Sequence, residues 1–417
     1  MKVHNVLVVC DLGQLHGVGT LSTRMSRLNS LEHCNIVYYS LGEPTEFSLH
    51  YIRQNGAKLI KASASAQNAV AKIINSIKNF FFLARLKRDL LPFYDNYPQP
   101  DIIFSVSSET LALSFMIQEV FPQTQLVTGL FHSSEYSWKP IRENLFSIFT
   151  KKIIKCLPSS NIFAMNQSVI DSHQSLISDA VVIPLFIDLE RFNLPRYPKK
   201  NKIVSVGQII PFKTYNFYML DVISELRGLK CFYEYHIYGH GSQVSELIER
   251  IKVLKLSDSV FFHGKLDYED FPAILADAYV FIGMGTSIIE ASASGTPSIL
   301  ASPTVEPLSY GWYFEQNGYE CGENLEVAPS YKVVRMLEEL DKIDDASYTV
   351  LCEKSKLKAN SFSFNHVSEL FINGFENAQA NRKIKLRFWL ILVKLESLAL
   401  TLFKFKNPNR NRRDIVK

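Results

Sequence analysis

The residue best placed for chemistry is Glu290, the single acid in the stretch 281–298 (FIGMGTSIIEASASGTPS). This stretch predicts a buried strand, a tight turn and a short helix that Gly295 and Pro297 stop. The turn holds small residues with exposed amides, namely Gly285, Thr286 and Ser287. Such a geometry lets the amides face a phosphate while the carboxylate binds a ribose or sugar hydroxyl. The alternative is a small-residue helix packed on a sheet, with Glu290 as a favourable acid in its first turn.

Lys213 is a second candidate, in the segment 206–213 (VGQIIPFK) that follows another predicted strand. Gly207 ends that strand, and Lys213 lies in the following loop or first helical turn. A lysine there opposes the helix dipole unless an anion lies nearby. The segment therefore favours a phosphate contact over a solvated lysine.

Three further segments follow predicted strands. Residues 11–19 (DLGQLHGVG) contain three glycines that permit close backbone approach to a ligand, although their spacing also fits a plain turn. The glycine pair in 238–241 (YGHG) lets the backbone turn beneath a base or a phosphate. His132, in 131–136 (FHSSEY), ends a buried strand, where a histidine fits either a structural role or a ligand contact.

These segments need a scaffold of alternating strands and helices, and the apolar pattern predicts one in each half of the chain. In the first half, strands are predicted at 6–10, 36–41, 58–61, 102–106, 126–131, 162–165 and 181–184, with helices at 19–28, 66–91 and 109–120. The second half predicts strands at 203–206, 235–238, 260–262, 278–282 and 298–301, with helices at 215–226, 244–255, 270–276 and 288–294. The alternation predicts two doubly wound parallel sheets, a linker near 188–200 and a ligand cleft between the domains.

Length and composition agree with a two-domain globular protein. The 417 residues are 47% hydrophobic, which suits two domains of about 150–200 residues each. Six scattered cysteines, without a C-x-x-C pair, indicate reduced thiols and argue against zinc or a disulfide framework. The N-terminal apolar run is too short for a signal peptide, and no stretch reaches the roughly 18 apolar residues of a spanning helix.

Charge is distributed unevenly along the chain. Residues 381–417 carry a net charge of +9 and the rest of the chain −5, and the negative body disfavours nucleic-acid binding. The segment 382–406 (RKIKLRFWLILVKLESLALTLFKFK) is apolar and basic, so it can lie in a membrane interface with its lysines at anionic headgroups. Its faces separate imperfectly, which also fits an ordinary helix packed on the first domain. A second aromatic and basic patch at 79–88 (NFFFLARLKR) favours a lipid-linked acceptor.

In their order and spacing, these segments resemble glycosyltransferase family 4 and the related family 1-like group. The resemblance covers roughly residues 1–375 and is densest at 203–300. Besides the segments above, it includes VIPLFID at 182–188 with Phe192, VFFHG at 260–264 and EASASGTP at 290–297.

The resemblance implies the GT-B fold, an α/β architecture of two doubly wound Rossmann-like domains facing across a cleft. It implies transfer of a sugar from a nucleotide diphosphate-sugar with retention at the anomeric carbon, without a cofactor or a catalytic metal. It assigns Lys213 to the diphosphate, Glu290 to the ribose hydroxyls and His132 to the donor sugar. Further donor contacts are assigned to Gly17, Gly19, Gly207, Gln208, Gly239, Gly241, Gly285, Thr286 and Ser287, and acceptor contacts to His16 and Glu135.

Two positions depart from the family pattern. Ile282 replaces the first glutamate of the Glu-x7-Glu motif, so residues 283–286 would offer backbone groups to the sugar instead. Gln208 replaces the diphosphate-binding arginine and lacks its guanidinium fork. Lys213 would then carry most of the charge that faces the diphosphate.

The sequence therefore predicts a bacterial-type glycosyltransferase of surface polysaccharide or lipopolysaccharide assembly, cytoplasmic and peripheral on the inner face of the cell membrane, with a glycan or lipid-linked glycan acceptor. Its predicted domains are 1–190 on the acceptor side and 191–361 for the nucleotide-sugar. A helix at about 362–380 is expected to pack back on the first domain, and 381–417 forms a basic amphipathic tail. Two alternatives stay open. One is a non-catalytic GT-B subunit that binds a partner glycosyltransferase or glycan, favoured by the two departures, and the other is a nucleotide-sugar epimerase of the same fold.

Overall fold

The computed structural model describes residues 3–13, 17–62, 82–136, 145–322 and 327–381. The chain divides into two compact units, Met1–Pro184 with Ser368–Asn411 and Leu185–Val367 with Arg412–Lys417. Among the described residues, each unit contains one seven-stranded sheet. The first unit therefore takes residues from both ends of the chain.

The sheet of the first unit is entirely parallel, in the order β3-β2-β1-β4-β5-β6-β7. Its strands are β1 His4–Cys10, β2 Cys34–Ser40, β3 Lys58–Lys61, β4 Ile102–Ser105, β5 Gln125–Leu130, β6 Ile162–Ala164 and β7 Val181–Val182. The central strand β4 is buried along its whole length, as expected for a parallel strand covered on both faces. The strand order reverses between β1 and β4, and in such sheets ligands bind outside the carboxyl ends of the strands at this point.

Helices connect the strands of the first unit. They are α1 Gly17–Arg24, α2 Glu46–Gln54, α3 Phe82–Tyr94, α4 Ser108–Gln118, α5 Leu145–Cys156 and α6 Gln167–Asp171. Three of them have side-chain caps. Thr45 accepts the Ser48 amide at the start of α2, Ser107 and Thr110 form a capping box at the start of α4, and Asn166 accepts the Val169 amide at the start of α6.

The sheet of the second unit has the order β10-β9-β8-β11-β12-β13-β14. Its strands are β8 Lys202–Val206, β9 Glu234–Tyr238, β10 Val260–Gly264, β11 Val280–Gly283, β12 Ser298–Ala301, β13 Leu308–Trp312 and β14 Tyr331–Lys332. The first five strands in this order, from the edge strand β10 to β12, pair in parallel. Strand β13 pairs antiparallel with both β12 and β14. The helices are α7 Tyr215–Gly228, α8 Val244–Val253, α9 Phe271–Ala276, α10 Thr286–Ala293, α11 Val333–Lys342 and α12 Asp345–Asn360.

The last helix, α13 (Phe364–Glu376), begins in the second unit and continues into the first. Within the first unit, the Phe371 and Phe375 rings lie 6.1 and 6.0 Å from the ring of Phe104 on β4. Both also contact Phe163 on β6, at 6.0 and 5.6 Å. An aromatic cluster therefore joins the C-terminal part of α13 to the sheet of the first unit.

The structure confirms the predicted α/β class with two doubly wound sheets, and it corrects several boundaries. The predicted helix at 19–28 is helix α1 up to Arg24, followed by a 3-10 turn at Met25–Ser30. The predicted helix at 288–294 begins two residues earlier, at Thr286. The antiparallel strands β13 and β14 were not predicted.

Several predictions concern residues outside the described ranges. These are residues 66–81 of the predicted helix at 66–91, residues 79–81 of the patch at 79–88, and the basic tail from 382 onward. In the part of the chain that the structure does describe, no helix has the length and apolar character needed to cross a membrane.

Candidate functional site

The loops that follow β8 and β9 are hydrogen-bonded to each other at the carboxyl end of the second sheet. The Gly207 amide donates to the carbonyl of Tyr238 at 3.0 Å. The Ile209 amide donates to the carbonyl of His240 at 2.9 Å. These bonds bring the two predicted donor-binding loops, VGQIIPFK and YGHG, into direct backbone contact.

Close backbone approach explains the two glycines of the YGHG loop. A β-carbon at Gly239 would lie 1.8 Å from the carbonyl oxygen of Gly207. A β-carbon at Gly241 would lie 2.2 Å from the carbonyl oxygen of Ile209. The packing of the two loops thus requires glycine at both positions, and their contact with a donor stays a prediction.

Lys213 extends back to the end of β8. A β-carbon at Gly207 would lie 3.0 Å from Lys213 Nζ and 3.0 Å from the hydroxyl of Tyr215, the first residue of α7. Lys213 is half-buried, whereas Tyr215 is fully buried. The ammonium group therefore lies at the carboxyl end of the sheet, next to Gly207. The neutral Gln208, which follows Gly207 in the chain, is half-buried as well.

Gly285 caps α10 in a conformation that glycine alone adopts readily, with φ +75° and ψ −152°. Its amide donates to the carbonyl of Cys321 at 2.7 Å. Apart from Gly285 and its two chain neighbours, no described residue has an atom within 4 Å of the position that a β-carbon would take there. Thr286 and Ser287 are the first two residues of α10, where amides have no acceptor within the helix. This open helix N-terminus is suited to binding an anion.

Glu290 lies in the second turn of α10, because the helix begins at Thr286. It is 4% exposed, and its Oε1 accepts a hydrogen bond from the hydroxyl of Tyr268 at 2.6 Å. The predicted position of Glu290 in the first helical turn is therefore wrong, whereas the alternative of a purely structural role in a packed helix stays open. A buried carboxylate needs polar partners, and Tyr268 is one of them.

Tyr268 is in turn held by Arg191, and sequence reasoning missed both residues. The Arg191 guanidinium carbon lies 4.6 Å from the centre of the Tyr268 ring, and Arg191 Nη2 donates to the Tyr268 carbonyl at 3.3 Å. Tyr268 stands 22 residues before Glu290, and Arg191 a further 77 residues before Tyr268. No local pattern connects positions so far apart in the chain.

Ile282 lies inside the hydrophobic core of the second unit. It is on β11 and fully buried, among the apolar residues that cover the sheet. A glutamate at this position would place an unpaired carboxylate in an apolar core, at a high cost in stability. Restoring the missing glutamate at 282 would therefore not restore a sugar contact.

His132 follows β5 in a turn of the first unit. Its Nδ1 accepts a hydrogen bond from the Ser134 amide at 2.9 Å and lies 2.7 Å from Ser134 Oγ. An amide can only donate, so in the neutral ring the proton belongs on Nε2. The half-buried imidazole therefore has its N–H at Nε2.

Glu135 has a structural role in the same turn. Its Oε2 accepts from the Ser108 amide at 2.8 Å, and its Oε1 from the Phe131 amide at 3.0 Å. Burial raises the pKa of the Glu135 carboxyl, and the bonds from Phe131 and Ser108 act in the opposite direction. The carboxylate thus ties the turn to the start of α4, and its contact with an acceptor stays a prediction.

The glycine-rich loop of the first unit is described only in part. His16 lies outside the described residues, and Gly17 opens α1. The Gly19 carbonyl accepts a hydrogen bond from Thr23 Oγ1 at 3.0 Å. In the described part of the chain, no three His, Cys, Asp or Glu residues come together as metal ligands.

Residues 186–309 match the family model described as Glycosyl transferases group 1. This range lies within the second unit and includes Lys213, Gly285 and Glu290. No curated protein matches the chain with significant sequence similarity.

Solved structures show the same fold over nearly the whole chain. Anabaena Alr3699/HepE in complex with UDP and glucose has a TM-score of 0.60 at 12% identity, covering 89% of this chain and 98% of that one. A glycosyltransferase from Rickettsia africae ESF-5 has a TM-score of 0.63 at 14% identity, covering 90% and 98%. S. aureus TarM, as a mutant in complex with fondaparinux, α-GlcNAc-glycerol and UDP, has a TM-score of 0.59 at 12% identity, covering 90% and 100%.

At these low identities, the structural likeness shows a shared fold, and the matched domain gives the enzyme class. The two doubly wound sheets have the GT-B architecture of these glycosyltransferases. With a group 1 domain at 186–309, the chain is a transferase enzyme, a glycosyltransferase of the GT-B fold.

Proposed function

We propose that this chain transfers a sugar from a nucleotide diphosphate-sugar to a glycan acceptor, with retention at the anomeric carbon and without a metal or cofactor. The observation that carries the proposal is segment 283–290, with an open helix N-terminus at Gly285 and a buried carboxylate at Glu290. Amides at a helix N-terminus bind phosphate, and a nearby carboxylate binds ribose or sugar hydroxyls. Together they offer the two kinds of contact that a nucleotide diphosphate-sugar needs.

Lys213 would provide the positive charge for the diphosphate. As the bond to the sugar breaks, negative charge develops on the leaving diphosphate, and a fixed ammonium group stabilises it. Lys213 Nζ is held beside Gly207 at the carboxyl end of the sheet, while Gln208 contributes no charge. The HepE complexes contain UDP with glucose or UDP-glucose, and the TarM complex contains UDP, so UDP is the first nucleotide to test.

The donor sugar would be held by neutral groups. His132 would donate from Nε2–H to a sugar hydroxyl, because its Nδ1 is occupied by the Ser134 amide. Backbone groups of residues 283–286 would replace the carboxylate that the family has at position 282. Retention and metal independence are inferred from the group 1 resemblance.

We further propose a lipid-linked glycan as the acceptor, in bacterial surface polysaccharide or lipopolysaccharide synthesis at the inner face of the membrane. The support for this is the sequence of the tail, which combines a net charge of +9 in 381–417 with a long apolar stretch and Trp389. Apolar segments with clustered lysines and arginines bind anionic membrane surfaces.

The test of the donor site is a thermal-shift panel on the full-length protein with UDP, GDP, ADP and CDP. A ligand at about 100 times its Kd stabilises the folded protein by about 2.7 kcal/mol. We expect one diphosphate to raise Tm, and the matching nucleotide-sugar to be consumed with and without EDTA at equal rates. If none of the four raises Tm, the proposed donor site is wrong.

A second candidate is a non-catalytic GT-B subunit, which Ile282 and Gln208 favour. Such a subunit would turn over no nucleotide-sugar with any of the candidate acceptors, although it would bind a partner glycosyltransferase or a glycan. Conversion of the free donor sugar without an acceptor would instead indicate an epimerase. Product analysis with and without acceptor therefore separates the three functions.

Deleting residues 382–417 is expected to release the enzyme from anionic vesicles while turnover of a water-soluble acceptor analogue is kept. The deletion leaves Asn381 in place, because its Oδ1 accepts a hydrogen bond from Gln118 Nε2 at 2.8 Å. Sedimentation with phosphatidylglycerol vesicles measures the binding, which should weaken as salt rises, since the attraction is electrostatic. Phosphatidylcholine vesicles are the uncharged control. Unchanged vesicle binding of the truncated protein, or its unfolding, would contradict this role of the tail.

A further inference from the structure

Three side chains of the second unit form a continuous set of contacts that ends at Glu290. The Arg191 guanidinium lies over the Tyr268 ring at 4.6 Å, and the Tyr268 hydroxyl donates to Glu290 Oε1 at 2.6 Å. The Phe192 ring lies 6.4 Å from the Tyr268 ring, at 71° to it. The Tyr268 ring thus contacts Arg191 and Phe192, and its hydroxyl is hydrogen-bonded to the Glu290 carboxylate.

The hydrogen bond to Glu290 fixes the direction in which the carboxylate points. A phenol–carboxylate bond of this length is charge-assisted and among the stronger hydrogen bonds in proteins. A glutamate in the second turn of a helix has three rotatable bonds, and a partner on one oxygen removes most of that freedom before a ligand arrives. The other oxygen is then oriented in advance.

Arg191 keeps the Tyr268 ring in place by two contacts. One is the cation–π contact with the ring, and the other is the 3.3 Å hydrogen bond from Nη2 to the Tyr268 carbonyl. Tyr268 opens a short 3-10 turn, Tyr268–Asp270, between β10 and α9. The other two residues of this turn are exposed, and Arg191 and Phe192 are two of the contacts that anchor the tyrosine within the second unit.

We propose that Tyr268 is a positioning residue that orients Glu290 for the ribose hydroxyls of the nucleotide, with Arg191 holding the tyrosine ring. This inference rests on the proposed function, in which Glu290 binds those hydroxyls. In this proposal, nucleotide affinity depends on the Tyr268 hydroxyl, which acts through Glu290 and does not itself touch the nucleotide.

The experiment compares Tyr268→Phe with the wild type in full-length protein, using two ligands. The ligands are UDP, or the diphosphate that the thermal-shift panel selects, and its 2′,3′-dideoxy analogue, which lacks the ribose hydroxyls. Tyr268→Phe keeps the ring and its contact with Arg191 and removes only the hydroxyl. We expect binding of the diphosphate to weaken by about five- to tenfold, because Glu290 is no longer oriented before the ligand binds and must be ordered on binding. Binding of the dideoxy analogue should stay the same.

Two further variants make the result decisive. Glu290→Gln measures the role of the carboxylate itself, and Tyr233→Phe is the control, because it removes another buried tyrosine hydroxyl, which donates to the Leu337 carbonyl at 3.1 Å. Tyr233→Phe is expected to bind both nucleotides as the wild type does.

Each remaining outcome overturns one specific claim. If Glu290→Gln weakens binding of the diphosphate but Tyr268→Phe does not, the positioning role is wrong and the donor site stands. If Tyr268→Phe weakens both ligands equally, its effect does not pass through the ribose hydroxyls, and the positioning role is wrong as well. If Glu290→Gln binds both ligands like the wild type, the assignment of Glu290 to the ribose fails and the inference fails with it.

Discussion

Glu290→Gln is expected to lower kcat/KM for the nucleotide-sugar by about 10- to 100-fold while Tm changes little. Hydrogen bonds to a charged group contribute about 1.5–3 kcal/mol, and the amide of glutamine has half the acceptor capacity of the carboxylate. The fold should tolerate the change, because glutamine has the same shape and its amide oxygen can still accept from Tyr268. Steady-state kinetics and a thermal melt of the same preparation measure both quantities.

The matched control for this variant is Glu249→Gln, an equal change at an exposed position of helix α8. It removes the same charge from the same unit, so it reports any general effect of net charge. Glu249→Gln should leave both kcat/KM and Tm as in the wild type. A large loss of Tm in Glu290→Gln with unaltered donor affinity would mean that the buried carboxylate serves the packing of α10 alone.

The doubly wound sheets could be predicted from the sequence because parallel strands are buried on both faces. Strands such as β4 (Ile102–Ser105) and β12 (Ser298–Ala301) are buried at every residue, so they appear in the sequence as short apolar runs between turn residues. Strand β13 (Leu308–Trp312, LSYGW) has a weaker apolar pattern in the sequence, because it lies near the antiparallel edge of its sheet. It mixes polar and apolar residues, and its Gly311 has a φ of +88°. The two residues of β14 are too few to form any pattern.

The local parts of the candidate site could also be predicted, whereas its long-range contacts could not. The turn before α10 is encoded by consecutive residues, so Gly285, Thr286 and Ser287 could be located from their types alone. The contact between Tyr268 and Glu290 depends on how β10, α9 and α10 pack, and no spacing rule reports that. The same holds for the close approach of Gly239 to Gly207, where the glycine signal was visible but its cause was not.

Burial also changes the interpretation of residues whose types suggest chemistry. Glu135 has a side chain suited to acid–base work, yet both of its carboxylate oxygens accept backbone amides of Ser108 and Phe131. A carboxylate held in this way stabilises a turn, which is a common use of acids near helix N-termini. From sequence, such a residue cannot be told apart from a ligand-binding acid, because the difference lies in which amides surround it.

Lys213→Met is expected to lower kcat/KM for the donor by more than about tenfold, chiefly through weaker binding of the diphosphate. Methionine keeps an apolar side chain beside Gly207 and Tyr215 but removes the ammonium group. A charge-assisted contact with phosphate is lost, and its free energy corresponds to roughly a tenfold or larger change in rate. Inhibition constants for UDP and for uridine locate the effect: UDP should bind more weakly to the variant, and uridine, which has no phosphate, should bind as it does to the wild type.

Lys252→Met, at an exposed position of α8, is the control for the loss of one positive charge from the second unit, and it should behave as the wild type.

Gln208→Arg tests the assignment of the diphosphate site from the opposite direction, by adding a positive charge. A guanidinium group forms two parallel hydrogen bonds to phosphate, so this variant is expected to raise the affinity for UDP and to compensate in part for Lys213→Met when the two are combined. Because the two side chains would share one ligand, their effects should not be additive. If Lys213→Met is as active as the wild type, Lys213 does not bind the diphosphate. If the effects of Lys213→Met and Gln208→Arg on UDP affinity are additive, position 208 does not share the diphosphate with Lys213.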